Sequence, residues 1–297
     1  MKNYPSVSIL LPTYNRGSYL PMAIETCLAQ DYPNLKIIIG DDASTDDTEN
    51  IIKKYLSDKR IVYLRNDKNL GFSKNTAKLL YKHTESDFFL QASDDDYFID
   101  SSYISKAVSL LTQYENMVLV HSNIYWVHEN KKGLVTANVK DLPEIENGLW
   151  YFLNWKNDIY FYTPTVLCKA NIAKKLNCFS GDEFSDDWKC WLKFCLNGDI
   201  GYINSKVVAY RVHSDNISAV IDIDKNINGA LCIKEAYDYA KKLNNLNDKL
   251  LNNWFKKNII LYFKLRHDNL LGKDPVSANM FAQRFTMQYP FVSGLPR

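Results

Sequence analysis

Over its first 120 residues the chain alternates short apolar runs with apolar positions at helical spacing, a rhythm that few folds accommodate. Val7-Ser8-Ile9-Leu10-Leu11 is an apolar run closed by Pro12, as expected of a buried strand. Leu20, Ala23, Ile24, Cys27 and Leu28 then recur on one helical face, with Ser18 placed to cap it. Lys36 to Gly40 forms the next β-branched run. Ile51, Ile52, Tyr55 and Leu56 repeat the helical spacing behind Ser44-Thr45-Asp46. A strand at Ile61–Leu64, a helix around Ser73–Lys82 and a strand at Phe88–Ala92 continue the order. Strand-helix-strand alternation predicts a parallel sheet with helices on both faces, whose ligands bind beyond the carboxyl ends of the strands.

The residues after those strands are the chemically interesting ones. Pro12-Thr13-Tyr14-Asn15 follows the first, Asp41-Asp42 the second, and Ser93-Asp94-Asp95-Asp96 the fourth. Three adjacent carboxylates after an apolar strand repel one another, and a divalent cation or a bound proton relieves that repulsion. Hard oxygen ligands suit Mn²⁺ or Mg²⁺, and Mg²⁺ sites combine one or two carboxylates with a substrate's phosphates. A solvated acidic turn is the alternative reading of the same triplet. Asp42 can accept hydrogen bonds from a base or a ribose, while Ser44, Asp46 and Asp47 equally suit a helix start. The pair Asp186-Asp187 opens a further amphipathic helix that runs to about Asn197, with Gly198 as its stop.

The remainder is less regular. Aromatics crowd positions 150–162 (Trp150, Tyr151, Phe152, Trp155, Tyr160, Phe161, Tyr162), a pattern that favours core packing over stacking on a sugar. Short strands are expected near Ile200–Ile203 and Val207–Arg211, and helices beyond Val220. His83, His121, His128 and His267 have no partner at ligand spacing and read as ordinary residues. Absence of a G-x-G-x-x-G or G-x-x-x-x-G-K-[ST] pattern argues against a dinucleotide oxidoreductase and a P-loop ATPase. A net charge of +2 gives no case for nucleic acid as a partner. Cys27, Cys168, Cys178, Cys190, Cys195 and Cys232 contain no C-x-x-C pair. With no secretory signal they are expected to be reduced, mostly buried thiols in a cytoplasmic protein.

In sequence order, five landmarks resemble those of the inverting, nucleotide-sugar-dependent family 2 glycosyltransferases of the GT-A fold. They are P-T-Y-N at 12–15, D-D-A-S-T-D-D-T at 41–48, N-L-G-F-S-K-N at 69–75, S-D-D-D-Y at 93–97 and D-D-W-K-C-W-L-K at 186–193. Y-R-V-H-S-D-N-I-S at 210–218 is similar to the family's segment that closes the site. The resemblance implies an α/β fold, a GT-A type, Rossmann-like mixed sheet flanked by helices. It spans a catalytic domain of residues 1–220, with a helical extension at 221–297.

It also implies roles. Pro12, Thr13, Tyr14 and Asn15 would line the nucleotide pocket, with Asp41 and Asp42 at the base and Gly71, Lys74 and Asn75 beside base and ribose. Asp94, Asp95 and Asp96 would form the metal site that holds the diphosphate, approached by Arg211 and His213. Asp187, six residues before Lys193, would be the catalytic base. Two departures stand out. The family's additional Asp is replaced by Ala92 or Ser93, so the direct ligand is either Asp95 or Asp96. Its Glu-Asp pair is Asp186-Asp187 here.

The expected reaction is transfer of a sugar, by default from a UDP-sugar, to a hydroxyl of a glycan or lipid-linked acceptor in bacterial polysaccharide or glycolipid synthesis. A sugar-phosphate nucleotidyltransferase is the competing enzyme class, although the Pro12–Asn15 turn lacks its Gly-rich basic loop. A non-catalytic nucleotide-sugar-binding module is the other alternative. Residues 221–297 carry 12 Lys and Arg against 7 Asp and Glu. Their aromatics and lysines (Trp254, Phe255, Lys256, Lys257) suit either a peripheral contact at the inner membrane face or a subunit contact in a homo-oligomer.

Overall fold

The computed structural model describes residues 4–128, 134–136, 142–155, 159–180, 186–213 and 222–293. The chain divides into two compact units. One comprises Met1–Asp182 and Phe194–His213, the other Glu183–Lys193 and Ser214–Arg297.

The first unit is built on one mixed sheet. Its strands are β1 (Val7–Thr13), β2 (Leu35–Asp41), β3 (Ile61–Arg65), β4 (Phe88–Gln91), β5 (Tyr97–Phe98), β6 (Met117–His128), β7 (Leu134–Thr136), β8 (Ile145–Asn147), β9 (Leu167–Lys169) and β10 (Asp199–Val212). The spatial order is β3-β2-β1-β4-β9-β6-β10-β5, with β7 beside β6 and β8 beside β10. Strands β1 to β4 are mutually parallel, as the alternation predicts. The sheet as a whole is not, because β9 enters antiparallel between β4 and β6. Helices α1 (Leu20–Leu28), α2 (Thr48–Lys53), α3 (Phe72–His83), α4 (Tyr103–Gln113), α5 (Gly148–Asn154) and α6 (Ala170–Lys175) connect these strands. Val7, Ile9 and Leu11 share a buried core with Leu20, Ile24 and Cys27 of α1 and with Ile104, Ala107 and Val108 of α4.

Three local expectations need correction. Pro12 does not end β1 but lies inside it, level with Gly40. The Leu10 carbonyl accepts the Ala92 N–H on the β4 side, and the Thr13 carbonyl accepts the Asp42 N–H on the β2 side. The missing N–H of Pro12 therefore points past the last β4 pair, where no ladder bond is lost. The strands expected at 200–203 and 207–211 are one strand, β10, with register shifts around Lys206. The Ser122 hydroxyl holds that irregularity by meeting the carbonyls of Ile203 and Ser205 at 2.8 and 2.5 Å. At α1 the cap position falls on Tyr19 rather than Ser18.

The second unit is helical. It contains most of α7 (Asp186–Cys195) together with α8 (Ile223–Asn228), α9 (Leu231–Leu243), α10 (Asp248–Leu271) and α11 (Pro275–Gln288). Asn247 caps α10 through Lys249 and Leu250, and Asp274 caps α11 through Val276. Tyr262 and Phe263 of α10 stack on Phe285 and Phe281 of α11, giving the unit its own aromatic core. Among the described residues no helix is long and apolar enough to cross a membrane.

Candidate active site

Thr13 pairs with Asp41 across β1 and β2, and Leu10 with Gln91 across β1 and β4. The carboxyl ends of three strands therefore stand side by side. The strand order reverses between β1 and β4, the switch point at which α/β sheets bind ligands.

Asp41 and Asp42 are both buried but differ in what they hold. Asp41 accepts the Ser44 N–H at 2.8 Å and the Tyr63 hydroxyl at 2.9 Å, and it pairs with Arg65. Its carboxylate thus faces into the fold. Asp42 accepts Asn66 Nδ2 at 2.7 Å and the N–H groups of Leu70 and Gly71, each at 2.8 Å. Three donors leave one of the four lone-pair positions of a carboxylate, on Oδ2, for a further N–H. Gly71 has φ +86°, which brings its N–H onto Asp42 without a steric penalty.

Asn66 links this corner, and nothing in its sequence neighbourhood marks it. It donates to Asp42 and to Asn75 Oδ1 at 3.1 Å, and it accepts Lys78 Nζ at 2.6 Å. Asn75 in turn donates to the Gly40 carbonyl at 2.7 Å. Lys74 lies exposed on the first turn of α3. Asn15 receives the Thr45 N–H at 2.7 Å and donates its own to Ser44 Oγ at 2.9 Å, tying the turn after β1 to the turn after β2. Tyr14 is exposed, whereas Pro12 and Thr13 are buried.

The acidic triplet lies against the turn after β1, with Asp94 bonded to the Thr13 hydroxyl and the Tyr14 N–H, and its members separate by environment. Burial and the charge of Asp95 push Asp94 up to about 7, against the pull of the Thr13 hydroxyl, Arg16 and the Tyr14 N–H. Asp95 meets His213 Nε2 at 3.0 Å through Oδ2. Asp96 is turned inward, where Oδ1 accepts the Arg211 N–H at 2.9 Å. Burial first, then the Asp95 charge, raise it well above the usual carboxylate range.

Arg211 is held along its whole length. Nη1 donates to the Asp95 carbonyl at 2.9 Å, and the guanidinium lies 4.8 Å from the Tyr97 ring and 5.4 Å from the Tyr19 ring. Tyr19 also stacks on His213 at 4.8 Å. Tyr19, like Asn66, was not marked by any motif. The segment after His213 lies outside the described residues.

The donor set suits a hard divalent ion. Among the described residues no three His, Cys, Asp or Glu converge on one point. A Mg²⁺-type site shared with a diphosphate needs only one or two carboxylates. Asp94, raised to about 7 by burial and by the Asp95 charge, and Asp95 beside it meet that requirement.

Asp187 belongs to the second unit, in the first turn of α7, where its Oδ1 accepts the Trp188 N–H at 2.9 Å. Of the aromatics at 150–162, Tyr151, Phe152, Trp155 and Phe161 are buried and Tyr160 is exposed. His121 bonds the Tyr151 hydroxyl at 3.0 Å, and burial lowers it to about 3, which keeps it a neutral core residue.

The mixed sheet, with its acidic turn at the β1–β4 switch, defines a GT-A glycosyltransferase fold. Staphylococcus aureus TarS 1–349 in complex with UDP-GlcNAc superposes with a TM-score of 0.73 at 18% identity, covering 91% of this chain and 76% of that one. The Pyrobaculum calidifontis mannosyltransferase PcManGT, in complex with GDP-Man and Mn²⁺, gives a TM-score of 0.58 at 14% identity over 99% and 78%. The family model for glycosyl transferase family 2 matches residues 8–170, and the chain belongs to that family. Its relatives include an uncharacterised glycosyltransferase of Haemophilus influenzae, 26% identical over 85% of this chain and 79% of the relative. Another is the Escherichia coli UDP-Glc:alpha-D-GlcNAc-diphosphoundecaprenol beta-1,3-glucosyltransferase WfaP, 30% identical over 72% and 80%.

Proposed function

We propose that this glycosyltransferase is an inverting, metal-assisted enzyme that moves a sugar from a nucleotide-sugar, with UDP as the default nucleotide, to the hydroxyl of a glycan or lipid-linked acceptor. Its place of work would be the cytoplasmic side of the membrane. The observation that carries the reading is the pairing of two half-filled recognition points at one sheet edge. Asp42 keeps a lone-pair position for a base N–H, and Asp94 with Asp95 presents two adjacent carboxylates where a diphosphate would lie. WfaP, named for a UDP-glucose donor and a lipid diphosphate acceptor, supports the donor and acceptor classes.

The roles follow from the contacts. Asp42 would receive the base, with Asn66 holding its carboxylate in place. Asp96, engaged by the Arg211 N–H, would keep the acidic turn against β10, leaving Asp94 and Asp95 to hold Mn²⁺ or Mg²⁺ beside His213. Such an ion would offset the charge that grows on the leaving diphosphate. Asp187 would take the proton of the acceptor hydroxyl. The oxygen then attacks the anomeric carbon from the face opposite the nucleotide, the carbon–oxygen bond to the diphosphate breaks, and the nucleoside diphosphate departs with the bonding pair. The configuration at that carbon is inverted.

A panel of UDP-glucose, UDP-N-acetylglucosamine, dTDP-glucose and GDP-mannose, measured by calorimetry with and without Mn²⁺, tests donor and metal together. Binding that is indifferent to both nucleotide and metal would remove the reading. Asp187→Asn is expected to keep donor affinity and lower turnover by ~10²–10⁴, the scale of general-base catalysis. Near-normal turnover in that variant would take Asp187 out of the role.

A further inference from the structure

We infer that the C-terminal helices are the mount of the catalytic base, through a chain of ion pairs in which the buried Asp186 and Lys189 act as positioning residues for Asp187. This rests on the reading of Asp187 given above.

Asp186 and Lys189 are both buried, an unusual state for charged groups in the first turn of a helix. Lys189 Nζ lies 2.6 Å from Asp186 Oδ1 and 3.4 Å from Glu235 Oε2 of α9. Lys193 extends the chain, 3.7 Å from the same Glu235 oxygen and 5.9 Å from the Tyr239 ring. Residues 186, 189 and 193 fall on one helical face by their spacing. Asp187 is rotated about 100° from it at 3.6 residues per turn.

The residue on the other side of Asp187 is anchored as well. Trp188 packs edge-on against Tyr262 of α10 at 6.2 Å, with the Arg266 guanidinium 5.7 Å from its ring. Both neighbours of Asp187 are thus fixed to the helical bundle, one by charge and one by ring packing, while Asp187 is itself only partly buried. A lysine near a helix N-terminus is disfavoured by the helix dipole, and a buried one needs a counter-charge. Lys189, paired both with Asp186 beside the base and with Glu235 of α9, gives that otherwise unfavourable choice a use. It fixes the backbone from which the carboxylate must reach the acceptor hydroxyl. The division of the chain agrees, since residues 183–193 group with the C-terminal helices rather than with the sheet.

The test uses the full chain, with nucleoside diphosphate release from UDP-glucose, UDP-N-acetylglucosamine and GDP-mannose in Mn²⁺ as the rate and thermal unfolding as the control for folding. Lys189→Met alone takes the lysine from a buried carboxylate, so the double variant Asp186→Asn/Lys189→Met, which removes both charges, is the informative one. Its kcat should fall about 30- to 100-fold with donor KM within about twofold, the scale of an ångström-sized misplacement. Asp186→Glu, which keeps the charge, should recover kcat to within about fivefold of the parent on the same scale. A double variant with parental kcat and parental Tm overturns the proposal. So does a loss in which kcat and KM move together with Tm, because that reports damage to the fold. Asp187→Asn run in parallel separates the two readings. If it stays active, the base assignment falls and the mount with it. If it is inactive while the double variant turns over normally, only the mount falls.

Discussion

Asp94 and Asp96 carry the same carboxylate two positions apart, yet the fold uses them differently. Asp96 is fixed by the Arg211 N–H, while Asp94 is raised to about 7 by burial and by Asp95, with only a hydroxyl, an arginine and one N–H opposing. In the unfolded chain an Asp titrates near ~3.9. Between those values the metal-free native state holds the extra proton, so its stability falls as pH rises from about 4 to about 7 and is flat above. A divalent ion must displace that proton. Mn²⁺ affinity, titrated calorimetrically in the presence of UDP, should therefore climb up to about tenfold per pH unit below 7 and level off above it. Asp94→Asn should abolish the slope, and a flat profile for the parent between pH 5.5 and 7 would contradict this account. Asn66 invites a second test. Asn66→Ala strands a lone pair on Asp42 and on Asn75 and leaves Lys78 without that acceptor. The loss should be about 1–3 kcal/mol, seen as a lower urea midpoint at unchanged m-value, with weaker UDP binding.

At the scale of elements, close approaches decide what the chain tolerates. A Cβ on Gly148, the first residue of α5, would sit 2.2 Å from the Cys195 carbonyl oxygen and 2.1 Å from that of Gly198. Neither oxygen belongs to a flexible side chain, so α5 cannot keep its seat against the end of α7. Gly148→Ala should destabilise by at least the ~1–3 kcal/mol typical of overpacking, measured by urea unfolding. A substitution that leaves the midpoint unchanged would show that the packing is looser than described. The same scale explains what the sequence made readable. Strands β1 to β4 are short apolar runs and were legible as such. Strand β6 was not, because His121-Ser122-Asn123 interrupts its apolar pattern although all three are buried. Each is satisfied by a distant partner: Tyr151, the bulge carbonyls of β10, and Tyr202. The polar bulge residues of β10 likewise made one strand look like two. In the site, the acidic triplet, Arg211 and His213 are visible as motifs with fixed spacing. Asn66 and Tyr19 gain their roles only from residues far along the chain, so no local signal announces them.

For the whole molecule, the six cysteines give a reporter that covers both units. Cys27, Cys168, Cys178 and Cys195 belong to the sheet unit, and Cys190 and Cys232 to the helical one. All six are buried, and none is in a disulfide. Burial alone pushes the Cys27 thiol up to about 12 and raises Cys195 further, and it is the main reason Cys168 is raised. Thiolate is the reactive form, so burial opposes reaction at all six in the native state, and the raised thiols of Cys27, Cys168 and Cys195 oppose it further. The intact protein should consume almost no aromatic disulfide reagent at pH 8, and all six equivalents once denatured. Titrating the reagent against urea then reads the two units separately, because four equivalents report the sheet and two the helices. If the helical unit carries the base, as inferred above, conditions that expose only Cys190 and Cys232 should abolish turnover while nucleotide binding at the sheet edge persists. Loss of binding in the same step as loss of turnover, with only two thiols exposed, would contradict that division of labour.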